Sequence, residues 1–288
     1  MRIVQERLEF TSLGHKIASV LFLPEAPVPH PALIMCHGAM DFKENYFEFC
    51  RYLAAKGIAA LAVDMHGFGE SEGDRFHVTI EEWIADIRAA LAALQEHPLI
   101  NSANIGAFGV SSGGTAVLEC SLVEPGLKAL ITLDATVRTI VGLLELAGIR
   151  LLALMGTVKR LFTGSSLRIS LVKSCKKIEV AHDPEVNSSW GNNPDVLKMW
   201  SEFPFPGTEE SLIVDTIKRV HMISVPTLIL HGAEDKIDHP DTARLLYGTL
   251  TCPKGLHIIE GNGHMGHLDR NKQTVMELTA RWASKHLA

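Results

Sequence analysis

The sequence is poor in the features that mark secreted, membrane-spanning or nucleic-acid-binding proteins. Its five cysteines in 288 residues are an odd, scattered set without a CxxC pair, which favours free thiols in a reducing compartment. The N-terminal residues MRIVQERLEF alternate apolar and charged side chains and lack the apolar core of a signal peptide. The formal net charge of −6 gives no reason to expect nucleic acid or an anionic membrane as a partner. We therefore expect a cytoplasmic protein.

Long apolar runs are also scarce, and only residues 139–158, TIVGLLELAGIRLLALMGTV, have the length of a membrane span. Glu145 and Arg150 lie near the middle of this run, where either charge would be costly in a bilayer. The run predicts a helix that covers an apolar pocket, with resting on a membrane surface as the alternative. We expect no stable membrane insertion.

What the first half of the chain does contain is a regular alternation of two patterns. Short runs of β-branched and small apolar residues end in Gly, Asp or Ser and predict parallel strands buried on both faces, at 31–38, 58–67, 104–114 and 127–136. Helical spacing fills 46–56 and 79–97, the second opened by a capping box of Thr79 and Glu82. Residues 2–23 predict two antiparallel strands that turn at 12–14. This order predicts an α/β fold with a doubly wound, mostly parallel sheet.

The alternation stops after Asp134 and resumes with apolar runs at 225–236 and 255–264. We therefore predict a core domain built from residues 1–136 and 221–288. Residues 137–220 form an insertion, which we predict to be a helical cap over the sheet.

The strongest chemical signal is Gly109-Val110-Ser111-Ser112-Gly113, which fits the GxSxG pattern. It follows a predicted strand at 104–108 and opens a predicted helix at 112–122, the context that a nucleophile elbow requires. A Cβ at either glycine would clash with neighbouring backbone. The pattern predicts Ser111 as nucleophile.

Three segments together resemble the α/β-hydrolase superfamily, and most of all its monoacylglycerol lipase and serine aminopeptidase-like branch. They are HGAM at 37–40, DMHGFGESEG at 64–73 and GVSSGG at 109–114. The resemblance implies an eight-stranded sheet and an oxyanion hole made by the backbone N–H groups of Ala39 and Ser112. It also implies that His37 is structural and not catalytic.

Two later motifs supply an acid and a base. Asp235 follows the strand at 227–230 in a segment that looks like the family's HGxxD motif, and His264 ends GNGH, which is similar to its GxGH loop. The order Ser, Asp, His is the one found in this fold. His264 would take the proton of Ser111 as general base, and Asp235 would fix the tautomer of the ring.

Other residues compete for these roles. Asp134, Glu234 and Asp238 are alternative acids, and His267, three residues past His264, raises the idea of a metal site. One HxxH pair without matching ligands favours no metal, and nothing in the sequence calls for a cofactor.

The apolar residues of the insertion are either core contacts or the wall of a pocket for an acyl chain. They are Leu143, Leu144, Leu146, Leu151, Leu152, Leu154, Met155, Trp190, Trp200, Phe203 and Phe205.

We predict a serine esterase, lipase or thioesterase that cleaves a carboxylic ester or thioester with an apolar acyl or alkyl part through an acyl-serine intermediate. An acyltransferase, a cofactor-free lyase or cyclase, and a non-catalytic binding module are the alternatives. A homodimer is compatible with the sequence.

Overall fold

A computed structural model describes residues 2–26 and 28–287, and an eight-stranded sheet forms its centre. The strands in sheet order are β1 (Ile3–Ser12), β2 (His15–Pro24), β4 (Ala59–Val63), β3 (His30–Cys36), β5 (Ile100–Val110), β6 (Leu130–Leu133), β9 (Thr227–Gly232) and β10 (Lys254–Ile259). β1 and β2 pair antiparallel, β2 and β4 do so too, and the six strands from β4 to β10 run parallel. The predicted doubly wound, mostly parallel sheet of the α/β-hydrolase fold is thereby confirmed.

The sequence explains why these strands lie where they do. β4 is buried along its whole length, and β3 along nearly all of it, so both are apolar on both faces. β1 instead alternates half-buried and exposed residues, as an edge strand does. β1 and β2 meet in a tight turn at Leu13 and Gly14, both with positive φ, which confirms the predicted turn.

Helices cover both faces of the sheet. Their bounds are α1 (Phe47–Ala55), α2 (Ile80–Glu96), α3 (Ser112–Ser121), α4 (Leu143–Thr163), α5 (Val172–Cys175), α6 (Pro184–Asn192), α7 (Pro194–Ser201), α8 (Asp241–Thr249) and α9 (Lys272–His286). α2 and α3 bury their apolar sides in one core layer, with Trp83 fully enclosed. α1 and α9 contribute to the second layer, in which Phe49 packs edge-on against Phe108. All five cysteines are buried free thiols.

The predicted capping box at the start of α2 was wrong. Thr79 makes no side-chain hydrogen bond to the first turn. The Ile80 N–H instead donates to Glu210 Oε2 at 2.6 Å, a carboxylate from a distant segment. A tertiary contact has thus replaced the local cap at the helix N-terminus.

Residues between β6 and β9 contain α4 to α7 and a two-stranded ribbon of β7 (Leu167–Ile169) and β8 (Phe203–Phe205). Most apolar residues of α4 that were expected in a core or pocket wall face solvent instead: Leu143, Leu144, Leu151, Leu154 and Met155. Within residues 2–26 and 28–287, no helix combines the length and apolarity needed to cross a membrane. The cap boundaries at 137 and 220 stay a prediction.

Candidate active site

Ser111 occupies a sharp turn between β5, which ends at Val110, and α3, which begins at Ser112. Its φ of 50° and ψ of −119° lie in a region that non-glycine residues rarely adopt, at a cost of about 1–3 kcal/mol. The turn requires its two glycines: a Cβ at Gly109 would lie 2.3 Å from the Gly113 carbonyl oxygen, and one at Gly113 would lie 2.4 Å from the His37 carbonyl oxygen. The strand-to-helix turn thus presents Ser111 at the carboxyl edge of the sheet.

The loops after β9 and β10 bring together an acid and a base. His264 Nδ1 lies 2.8 Å from Asp235 Oδ2, and the Asp235 side chain is fully buried. Asp235 Oδ1 accepts the backbone N–H groups of Ile237 at 2.8 Å and Asp238 at 3.0 Å. Because an ionised carboxylate only accepts hydrogen bonds, His264 carries its proton on Nδ1 and leaves Nε2 free to accept another.

The electrostatics of this pair suit a base held next to an acid. Burial lowers the pKa of the His264 ring, but the charge of Asp235 and its hydrogen bond outweigh burial and raise that pKa. Burial raises the pKa of Asp235, yet His264 and His231 outweigh it and hold that pKa well below its usual range. Asp235 is therefore a carboxylate throughout the neutral pH range.

The sequence analysis did not predict that His231 contacts Asp235. His231 Nε2 lies 3.2 Å from Asp235 Oδ2 and 2.8 Å from the Asp238 carbonyl oxygen, and its Nδ1 lies 3.9 Å from Asp134 Oδ1. Burial lowers the pKa of His231, but Asp235 and Asp134 raise it to about 9. His231 therefore contacts the Asp235 carboxylate as a buried, protonated ring. Its place in the HGAED segment was the available signal.

Asp134, the main rival for the acid, has a different task. Its oxygens accept the N–H groups of Gly232 at 2.7 Å and Gly266 at 3.5 Å, so it joins the loops after β9 and β10. It forms no hydrogen bond with the His264 ring. Complete burial raises its pKa to about 7, with His231 opposing and Asp235 reinforcing the shift. Asp134 therefore links the backbone of the two segments that carry Asp235 and His264.

The remaining rivals form no hydrogen bond with the His264 ring in the described part of the chain. Asp238 Oδ1 accepts the Thr242 hydroxyl, and Glu234 has one carboxylate oxygen buried without a partner. His37 uses both ring nitrogens on backbone groups, Gly38 O at 2.7 Å and Met65 N at 3.0 Å. His37 is thus part of the scaffold.

His267, the second histidine of the HxxH pair, lies beneath the site. Its ring stacks on Tyr46 with centroids 4.4 Å apart, and both of its nitrogens are buried without a hydrogen-bond partner. Burial lowers its pKa to about 4. His267 is a neutral packing residue. Among residues 2–26 and 28–287, neither group of side chains with metal-ligand spacing includes His267 or His264.

Two groups of side chains have the spacing of metal ligands, but each is already satisfied. Asp134, His231 and Asp235 form one group, in which the His231 Nε2 proton is directed at oxygen acceptors. Glu44, Asp64 and Glu70 form the other, and the Lys43 ammonium lies among them, 2.7 Å from Asp64 Oδ2. The amine takes the position that a cation would need.

Ser111 and His264 line one cavity of about 960 Å³. Its walls are largely apolar and include four of the five Trp and Phe residues between 137 and 220 together with two residues of the inner face of α4: Trp190, Trp200, Phe203, Phe205, Ile149 and Leu152. No hydrogen bond links Ser111 Oγ to the His264 ring in this structure. Unliganded enzymes often tighten that contact only with substrate present.

Ala39 and Ser112, whose backbone N–H groups are the predicted oxyanion donors, line the same cavity as Ser111. In the described part of the chain neither N–H donates to an acceptor. Two unengaged donors next to a serine, one of them at the first residue of α3, can hold developing negative charge.

The chain is similar to several known proteins. Residues 27–271 match the family described as "Serine aminopeptidase, S33". Esterase FrsA of Escherichia coli O157:H7 is 31% identical over 137 residues, which are 46% of this chain and 32% of that protein. The alpha/beta hydrolase GrgF from Penicillium sp. sh18 superposes with a TM-score of 0.81 at 19% identity, over 99% of both chains. The Paleococcus ferrophilus monoacylglycerol lipase does so with a TM-score of 0.70 at 18% identity, over 99% of this chain and 100% of that one. At these identities the two structures show the shared fold.

Proposed function

The chain belongs to the S33 serine aminopeptidase-like family of α/β hydrolases, and from that premise we propose that it hydrolyses carboxylic esters or thioesters with an apolar acyl or alkyl part. The observation that carries the proposal is the pairing of His264 with a buried Asp235 carboxylate at a cavity that Ser111 also lines. The esterase FrsA match, although it spans only part of either protein, supports the same chemistry.

The reaction would proceed through an acyl-serine. Ser111 Oγ attacks the carbonyl carbon while His264 Nε2 takes the hydroxyl proton. Asp235 keeps the Nδ1 proton in place and stabilises the imidazolium. The N–H groups of Ala39 and Ser112 hold the oxyanion, and His264 then returns its proton to the leaving alcohol or thiol. Water activated by His264 releases the acid in the second half of the reaction.

The cavity favours an ester over a peptide with a free N-terminus. Its three carboxylates are each engaged: Glu145 accepts the Gly142 N–H, Glu179 pairs with Lys236, and Asp41 accepts the Tyr46 hydroxyl. An α-ammonium group in this cavity would have to share a carboxylate that already has a partner. The large apolar wall instead fits an acyl chain.

Labelling with a fluorophosphonate probe, followed by mass spectrometry, tests the nucleophile. We expect stable labelling of Ser111 in the wild type and none in Ser111→Ala. Ser112→Ala is the matched control, because it keeps the backbone N–H and removes only a buried hydroxyl without a partner. It should retain labelling and turnover of p-nitrophenyl esters.

Two results would contradict the proposal. One is turnover of p-nitrophenyl esters by Ser111→Ala at the wild-type rate, and the other is labelling at a residue other than Ser111. A series of esters and thioesters of increasing acyl length would then define the leaving group and the depth of the cavity. Adding alcohol acceptors to that series separates hydrolysis from acyl transfer.

A further inference from the structure

The outer face of α4 is apolar over the whole length of the helix and has no partner in the described part of the chain. Its side chains recur at intervals of three, four and seven residues, which places them on one face of a helix about 31 Å long. We call them the outer stripe: Leu143, Leu144, Ala147, Leu151, Leu154, Met155, Val158, Leu161 and Phe162, all exposed.

The inner face of the same helix belongs to the active-site cavity. Gly148, Ile149 and Leu152 line that cavity, and Gly156 packs so closely on Phe205 that a Cβ would meet its carbonyl oxygen. A water-soluble helix would place polar residues on its outer side. Here both faces are apolar, and an exposed apolar surface of this kind marks a contact with another protein or with a lipid surface.

The charge of the residues around the outer stripe favours one of these partners. Residues 138–177 carry eight Lys and Arg residues against one acid, Glu145, a formal charge of +7 in a chain whose total is −6. Six of these cations have no ion-pair partner in the described part of the chain, and four of the six also make no side-chain hydrogen bond there: Arg150, Lys173, Lys176 and Lys177. Lys177 is exposed and lines the same cavity as the inner face of α4.

A second copy of the chain would bring two such basic segments together and would be repelled. An anionic lipid surface instead attracts the cations and receives the apolar side chains. We propose that α4 docks the protein on an anionic lipid surface, with the outer stripe at the headgroup–acyl boundary and residues 138–177 against the lipid phosphates. The docking does not depend on the proposed function. Delivery of a lipid ester to Ser111 from that surface does rest on the proposed function.

Flotation of Ser111→Ala protein with lipid vesicles tests the docking without turnover. We expect binding to vesicles of equal parts phosphatidylglycerol and phosphatidylcholine, weak binding to phosphatidylcholine alone, and release as salt is raised. Leu154→Glu in this background should weaken binding on the order of tenfold. Val123→Glu is the matched control, because Val123 is 60% exposed and Leu154 is 61% exposed.

Separate variants test the contribution of the lysines to vesicle binding. Lys173→Glu combined with Lys176→Glu should weaken binding to the anionic vesicles by roughly twentyfold or more, at about fivefold per lysine. Lys285→Glu on α9, an exposed lysine far from the segment in sequence, should leave binding unchanged. Equal binding by all variants, or none by the Ser111→Ala parent, overturns the proposal. So does a dimer in analytical ultracentrifugation that Leu154→Glu dissociates.

Catalytic readouts keep the two proposals separate. With the wild-type nucleophile, Leu154→Glu should lose hydrolysis of a monoacyl ester held in anionic vesicles and keep hydrolysis of a soluble short-chain ester. Vesicle binding without any esterase activity would defeat the proposed function alone. Esterase activity on soluble substrate without vesicle binding would defeat the docking alone.

Discussion

Replacing Asp235 by Asn, and Asp134 by Asn for comparison, separates the acid of the site from the residue that positions it. In Asp235→Asn an amide N–H faces His264 Nδ1, which can satisfy it only by giving up its own proton. The proton then sits on Nε2, where it faces Ser111 and blocks proton transfer. The pairing at 2.8 Å in a buried site leaves little room for another arrangement.

The magnitude follows from the loss of the correct tautomer. We expect kcat of Asp235→Asn to fall on the order of 10⁴-fold, about 5 kcal/mol of transition-state stabilisation. Asp134→Asn keeps an oxygen for the Gly232 N–H, and Asp134 forms no hydrogen bond with the His264 ring. Its kcat should fall less than about tenfold, while the free energy of unfolding falls by roughly 1–3 kcal/mol through the changed buried contacts.

Steady-state hydrolysis of a soluble p-nitrophenyl ester gives kcat, and urea unfolding gives stability. The pH profile adds an independent readout: His264 must be neutral to act as base, and Asp235 raises its pKa. Removing that carboxylate therefore moves the acidic limb of kcat/KM to lower pH. If Asp134→Asn loses activity as severely as Asp235→Asn while remaining folded, the assignment of the acid is refuted.

Two further changes test the scaffold. Gly113→Ala should lower the free energy of unfolding, measured in urea, by more than about 2 kcal/mol, because the added Cβ would lie 2.4 Å from the His37 carbonyl oxygen. Gly248→Ala is the control: open space surrounds Gly248, so this change should be neutral or slightly stabilising. Equal effects would argue against the close packing of the turn. The pKa of His267 is about 4 when folded and 6.5 as the ordinary value, so the unfolded chain binds more protons and stability falls as pH drops from 6.5 towards 4, by up to about 3 kcal/mol. His267→Phe, which can still stack on Tyr46, should flatten this acid limb in urea titrations from pH 7 to pH 4; an unchanged slope would mean that His267 is not its source.

Local sequence patterns predicted the sheet and the positions of the site motifs well. Buried parallel strands are continuous apolar runs, and polar residues directly after them must meet at the carboxyl edge of the sheet. That rule is sufficient to place Ser111 and His264 around one cavity without any knowledge of the loops. It also explains why the Asp235 segment could be assigned from its position after β9.

Long-range contacts were out of reach of those patterns. The donor at the start of α2 is satisfied by Glu210, which lies 130 positions away in the sequence, so the local pair of Thr79 and Glu82 gave the wrong cap. Likewise, the apolar residues of α4 predicted a helix. They did not predict which face of that helix lines the cavity, because both faces are apolar.

The burial of every cysteine has a practical consequence for work on this protein. Burial raises the pKa of Cys36, Cys50 and Cys120, so these thiols react slowly with alkylating reagents in the folded state. A cysteine introduced on the surface, as in Leu154→Cys, would then take a fluorophore or spin label selectively with the native thiols left in place. Emission colour or electron spin relaxation at that label would report directly whether α4 sits in water or in a hydrocarbon environment.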